Sequence, residues 1–136
     1  MVTGLHHIGH LSEEYDQALA YYQDALGGTV AESTTVDGAV EVAFVEWPEF
    51  RIELVGRRER GTYLDELLDA LLDESPYHLA VTVEDIADSA AALEAAGYPM
   101  FDPEPVGGLG PYVRAFVDPG VVPGPPLELI ELDGES

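Results

Sequence analysis

The chain states one pattern twice. His7 lies in the strand-like run Leu5-His6-His7-Ile8-Gly9-His10-Leu11, and His78 lies in Tyr77-His78-Leu79-Ala80-Val81-Thr82-Val83. Each run leads into an acidic helix start, Glu13-Glu14 in the first half and Glu84-Asp85 in the second. Each helix ends at glycine, Gly27-Gly28 and Gly97. Late in each half comes a short strand with a central glutamate, Ile52-Glu53-Leu54 and Ile130-Glu131-Leu132. A repeated supersecondary unit cannot bury its apolar face alone and must pack against its copy. This confines the fold to two like modules around a shared centre.

The spacing predicts a β-α-β-β-β order in each module. In the first, strand 5–11 is followed by a helix over 13–26 with Ser12 as its N-cap. Tyr15, Leu19, Tyr22 and Leu26 form its apolar face. Strands over 29–36, 39–47 and 50–55 follow, with Asp37-Gly38 as a tight hairpin turn. In the second, strand 77–83, a helix over 85–96 and strands over 98–102, 112–118 and 127–132 repeat the order, with loops from Pro103 to Pro111 and from Pro119 to Pro126. Residues 63–73 read as a short amphipathic helix between the modules. The expected class is therefore α+β. One domain spans 1–136, with module one at 1–56, a connector at 57–75 and module two at 76–136. The two tandem modules form an open cup-shaped sheet with helices outside.

Strand alternation sorts side chains into faces. His7 and Gly9 share one face of the first strand, and His78, Ala80 and Thr82 share one face of the fifth. Glu53 lies in step with Arg51 and Val55, and Glu131 with Leu127 and Leu129. His7, Glu53, His78 and Glu131 can thus converge in the cup. A carboxylate in an apolar strand is expensive to bury unless it is paired or metal-bound. Two imidazoles and two carboxylates suit one divalent transition ion with open positions: cobalt, nickel, manganese, zinc or iron. His6 and His10 read as structural, outer-shell or surface groups.

Charge and composition exclude several classes. The net charge is -22, and all five cations are arginine. Such a surface opposes nucleic acid and anionic membranes. No cysteine is present, so thiol nucleophiles and zinc–thiolate sites are excluded. No apolar run reaches membrane-spanning length, and residues 1–4 lack the features of a signal peptide. A cytoplasmic protein of a high-salt organism is expected. Arg51, Arg57, Arg58 and Arg60 form a cluster that suits an anion such as a CoA phosphate, or that pairs with the surrounding acids. Arg114 stands apart, placed to meet a substrate carboxylate or a neighbouring acid.

These motifs resemble the vicinal oxygen chelate superfamily, which includes glyoxalase I, extradiol dioxygenases, bleomycin-resistance proteins and methylmalonyl-CoA epimerase. The likeness spans nearly the whole chain and is greatest to the epimerases. It rests on His6-His7-Ile8-Gly9-His10, Ile52-Glu53-Leu54-Val55, the stretch Tyr77 to Ile86, and Pro126 to Leu132. The resemblance implies His7, Glu53, His78 and Glu131 as metal ligands and an acyl-CoA or other thioester substrate. It also implies a homodimer, since such modules commonly pair. Epimerisation needs a base on each face of the reacting carbon. Glu131 is one candidate and Glu41 the other, the alternative for Glu41 being an exposed edge-strand charge. A lysine expected before the last strand is absent from Val117-Asp118-Pro119-Gly120. A glyoxalase I-like lyase acting on a thiol hemithioacetal would use the same ligand set. A metal-free sequestering protein of the bleomycin-resistance type would lack it.

Unscreened repulsion among so many carboxylates destabilises the compact state, and salt relieves it. The melting temperature is expected to rise as KCl is raised to molar concentration. A melting temperature indifferent to KCl would remove the high-salt reading.

Overall fold

The central strands set the frame. In the computed structural model, which describes residues 1–108 and 110–132, β1 (Val2–Leu11) runs antiparallel to β5 (Tyr77–Val83). His7 stands opposite Ala80, and Gly9 opposite His78. On the far side of β1 lies β4 (Phe50–Arg57), parallel to it, and on the far side of β5 lies β8 (Leu127–Leu132), parallel again. The flanks are completed by β2 (Thr29–Val36) and β3 (Val40–Trp47) on one side, and by β6 (Val106–Gly107) and β7 (Tyr112–Phe116) on the other. The eight-stranded order β2-β3-β4-β1-β5-β8-β7-β6 reads the same outward in both directions. The duplication seen in the sequence is thus a pseudo-two-fold about the β1–β5 seam, and the sheet curls into a half-barrel.

Most elements fall where alternation and turn residues put them. Asp37 and Gly38 both take positive φ, 51° and 68°, as a two-residue hairpin with right-handed strand twist requires. The strand expected over 98–102 does not form. Only Met100 bridges to Val117, and the pairing moves to Val106–Gly107, inside the expected loop. Pro99, Pro103 and Pro105 each remove a backbone donor, which leaves little ladder to build between them. The expected loop 103–111 includes residue 109, and module two as expected ends at 136. Residues 109 and 133–136 lie outside those described.

The first helix starts later than expected. Tyr15–Ala20 (α1) is α-helical and continues as a π-helical turn over Tyr21–Ala25. Ser12 does not cap it: its Oγ accepts from the Glu14 N–H at 3.0 Å, a local turn before the helix. In the π turn Leu26 N–H reaches back to Tyr21 at 3.1 Å, five residues away. That extra residue rotates Leu26 off the apolar face, and it is exposed where the 3.6-residue period expects burial.

Helices α1 and α3 (Ile86–Ala95) cover the convex face. Tyr15 and Tyr22 pack on Ala43, Val45 and Leu54, while Ile86 packs on Val81, Val83, Ala115 and Leu129. The connector helix α2 (Asp65–Glu74) is placed differently. Its Leu67, Leu68 and Leu71 pack on Leu11, Val42, Val55 and Phe116, which face the inside of the cup. Arg57, at the end of β4, anchors α2 through Asp65 at 3.1 Å and Asp69 at 2.8 Å. Among the described residues no helix is long and apolar enough to cross a membrane.

Leu71 is 2% exposed, so truncation leaves a cavity. Leu71→Ala is expected to lower unfolding free energy by about 2–5 kcal/mol in urea titrations. A loss below about 0.5 kcal/mol would show that α2 does not pack into the cup.

Candidate metal centre

Strand register brings four side chains together. Across β1–β4 Glu53 stands opposite Gly9, and across β5–β8 Glu128 stands opposite Ala80. In each module the carboxylate is therefore paired to the residue two after the histidine, on the same face. His7 Nε2 lies 3.3 Å from Glu53 Oε1 and 3.3 Å from Glu128 Oε1. His78 Nε2 lies 3.3 Å from Glu128 Oε1. One ligand atom from each of the four lies within 4.8 Å of the others. Gly9 makes this possible: a Cβ there would overlap the His78 ring.

The cluster is buried and polar. His7, His78 and Glu128 are almost wholly out of solvent, and Glu53 is 14% exposed. His7 Nε2, both ring nitrogens of His78 and Glu128 Oε1 have no hydrogen-bond partner. Buried polar atoms are rarely left so. One cation about 2.0–2.2 Å from each nitrogen and oxygen would hold its ligand atoms about 3–4.4 Å apart, a range that contains the three 3.3 Å separations. Two nitrogens and two oxygens suit a divalent transition ion.

Electrostatics favour positive charge here. Burial disfavours the His7 imidazolium, but the negative charge of the Glu128 and Glu53 carboxylates beside it outweighs burial, and the ring is pushed up to about 9. Burial likewise opposes the Glu128 carboxylate, yet His7 and His78 hold its carboxyl well below the usual range. A metal ion would compete with the proton on His7. His6 Nδ1 is 2.8 Å from His7 Nδ1, and Arg51 Nη2 donates to His6 Nε2 at 2.7 Å. With its Nε2 accepting from Arg51, a neutral His6 carries its proton on Nδ1 and donates to His7 Nδ1, which fixes the His7 ring from behind. Burial and Arg51 together pull His6 down to about 4.

Two expected residues lie elsewhere. Glu131 is on the convex face, opposite Val113, and its Oε1 accepts the Ile86 N–H at 3.0 Å at the start of α3. Leu127-Glu128-Leu129 and Ile130-Glu131-Leu132 are consecutive look-alikes offset by three residues. An odd offset in a strand reverses the face, and the β5–β8 register selects Glu128. The separation of His and Glu carried a hint: Glu53 follows His7 by 46 positions, and Glu128, at 50 after His78, matches that better than Glu131 at 53. Glu41 pairs with Gly56 on the convex side, and its carboxylate accepts from Arg58 Nε at 2.6 Å. The concave positions of β3 near the cluster are Val42 and Phe44. Glu41 therefore does not join the four.

The arginine cluster is committed to acids. Arg51 meets Glu46 at 3.4 Å, Arg57 meets Asp65 and Asp69, Arg58 meets Asp16 and Glu41, and Arg60 meets Asp69. A cavity of about 600 Å³, counting space open to solvent, lies beside Glu53, His78 and Glu128 under the leucines of α2.

Comparison with known proteins bears on the family and the fold. Residues 6–114 match the family model described as glyoxalase/bleomycin resistance protein/dioxygenase superfamily. Among solved structures, the chain is similar to a hypothetical protein from Bacillus halodurans C-125 at 23% identity and TM-score 0.78, covering 97% of this chain and 96% of that one. It is similar to methylmalonyl-CoA epimerase from Mycobacterium tuberculosis at 23% identity and TM-score 0.78, covering 98% and 91%. A Streptomyces coelicolor methylmalonyl-CoA epimerase in complex with 2-nitronate-propionyl-CoA shares 18% identity at TM-score 0.76, covering 97% and 99%. At such identities the likeness is one of fold. No curated protein matches the chain.

Substitution separates the two glutamates. Glu128→Gln is expected to weaken cobalt binding on the order of 10- to 100-fold or more by calorimetry. Glu131→Gln should leave cobalt affinity unchanged and lower stability by about 1 kcal/mol through the α3 start. The reverse pattern would return Glu131 to the site.

Proposed function

The chain belongs to the glyoxalase/bleomycin resistance protein/dioxygenase superfamily, and on that premise we propose a divalent-metal-dependent isomerase of the methylmalonyl-CoA epimerase type, moving the proton alpha to a thioester carbonyl. The observation that carries this reading is the convergence of buried, partnerless His7, His78 and Glu128 atoms with Glu53 beside a cavity. A cation held by these four would supply positive charge where negative charge develops on the carbonyl oxygen.

The remaining work falls to the chain. Epimerisation needs a proton taken from one face of a carbon and returned to the other. Glu53 and Glu128 come from opposite modules and approach the centre from opposite sides of the seam, so they are the proposed pair of bases. His7 Nε2 lies 3.3 Å from an oxygen of each carboxylate. Leu67, Leu68 and Leu71 wall the cavity with apolar surface, which limits water at the reacting carbon. Solved epimerases of like fold support the choice of reaction.

A second reading has its own support. With Glu41 turned away, the carboxylates that line the cavity among the described residues, Glu53 and Glu128, are themselves ligand candidates. A glyoxalase I-like lyase would shuttle a proton in the same way on a thiol hemithioacetal. The clustered donor set speaks against a metal-free sequestering role.

Deuterium incorporation at C2 of methylmalonyl-CoA, followed by NMR in heavy water at high KCl, tests the proposal. Cobalt-dependent exchange is expected in the wild type, reduced on the order of 10²-fold or more in Glu53→Gln and Glu128→Gln. Absence of exchange by folded, cobalt-loaded protein, together with turnover of a 2-oxoaldehyde hemithioacetal, would replace the epimerase reading with the lyase.

A further inference from the structure

Arg114 differs from the other four arginines. It projects from the concave face of β7, opposite Ile130 across β7–β8, and its side chain is 14% exposed. Its Nη1 is buried with no hydrogen-bond partner. The nearest carboxylate oxygens, Asp102 Oδ2 and Glu128 Oε2, are each 3.7 Å away, attractive but beyond hydrogen-bonding distance. Asp102 Oδ2 is already engaged, accepting the Phe116 N–H at 2.8 Å. Arg114 lines the cavity beside the metal centre and a second cavity shared with Tyr63, Leu64 and Leu67.

Such a group is costly unless something completes it. A buried cation needs hydrogen bonds as well as nearby charge. A guanidinium offers donors in a planar fork that matches a carboxylate. The other arginines cannot serve the same ligand. Each is tied to acids of the chain, most of them at 2.6–3.1 Å.

We propose that Arg114 is the receptor for a free carboxylate on the substrate, so that the site takes compounds bearing an acid group one carbon from the carbonyl that meets the metal. The proposal deepens the epimerase reading and rests on it for the location of that carbonyl. It follows from the place of Arg114 beside Glu128 Oε2, which sets the acid-binding point next to the proton-transfer point. It also has a chemical use. Removing a proton from between a carbonyl and a carboxylate piles negative charge on three atoms, and a guanidinium on the carboxylate relieves that repulsion. The fork specifies a carboxylate close to the reacting carbon rather than a phosphate on a distant carrier.

Binding of two small probes decides the matter. Monomethyl malonate carries one carbonyl ester and one free carboxylate, whereas dimethyl malonate carries none. Both are titrated by calorimetry into EDTA-treated and cobalt-loaded protein at one fixed KCl concentration, using wild type, Arg114→Met and Arg114→Lys, with circular dichroism and cobalt stoichiometry as controls. The wild type is expected to prefer the monoester on the order of 10- to 100-fold. Arg114→Met should abolish the preference and Arg114→Lys restore part of it, a ratio that a merely structural role would not move. Equal affinities in the wild type, or a preference unchanged in folded Arg114→Met, would overturn the proposal. If Arg114→Met fails to fold, the Arg114→Lys ratio decides: an undiminished preference overturns the fork, and a reduced one supports it. Preference with no C2 exchange would sink the epimerase reading while Arg114 stands, and exchange without preference would do the reverse.

Discussion

Two parallel strand pairs, β1–β4 and β5–β8, hold a histidine and a glutamate each in matching register, and the antiparallel β1–β5 seam presses the two pairs together. The consequence is a buried knot of imidazole and carboxylate whose members have little to satisfy them but one another. Everything else in the fold accommodates that knot. Gly9 keeps its side clear so that the His78 ring fits. His6 and Arg51 fix the back of His7. An apolar core of the same volume would be easier to bury, which is why the arrangement speaks for a bound ion and for function.

The placement of α2 links the charge pattern to the site. A chain of net charge -22 has few cations to spend. It uses Arg57 and Arg60 to hold a helix rich in aspartate over the cup, and Arg58 to tie β3 to α1. These pairs are partly exposed, and salt weakens them. The apolar contacts of Leu67, Leu68 and Leu71 carry the packing. The cavity is consequently walled by leucine on one side and by the polar cluster on the other, with Arg114 at their border.

The legible parts of the sequence were those governed by local chemistry. Alternation placed β2, β5 and β8, and Asp37-Gly38 announced its hairpin, because side-chain period and positive φ are properties of a few adjacent residues. His7, Glu53 and His78 were legible from the same alternation combined with repetition. Errors came where a distant partner decided. The π turn at Tyr21–Ala25 moved Leu26 outward, and prolines at 99, 103 and 105 moved a strand pairing from Met100 to Val106. For His6 the sequence left structural, outer-shell and surface roles open, and Arg51, brought beside it by β4, places it behind His7.

The sequence by itself determined that two like modules share a cup, that each contributes a histidine, and that the chain excludes thiol chemistry. Composition and periodicity suffice for these. Only tertiary structure decided between Glu128 and Glu131, between the cup and the outer face for Glu41, and between solvent and cavity for α2 and Arg114. Two glutamates three residues apart carry the same local pattern, and an apolar helix stripe fits either side of a sheet. The choice is made by interstrand register and by which surface is left uncovered, and both depend on residues far away in the chain.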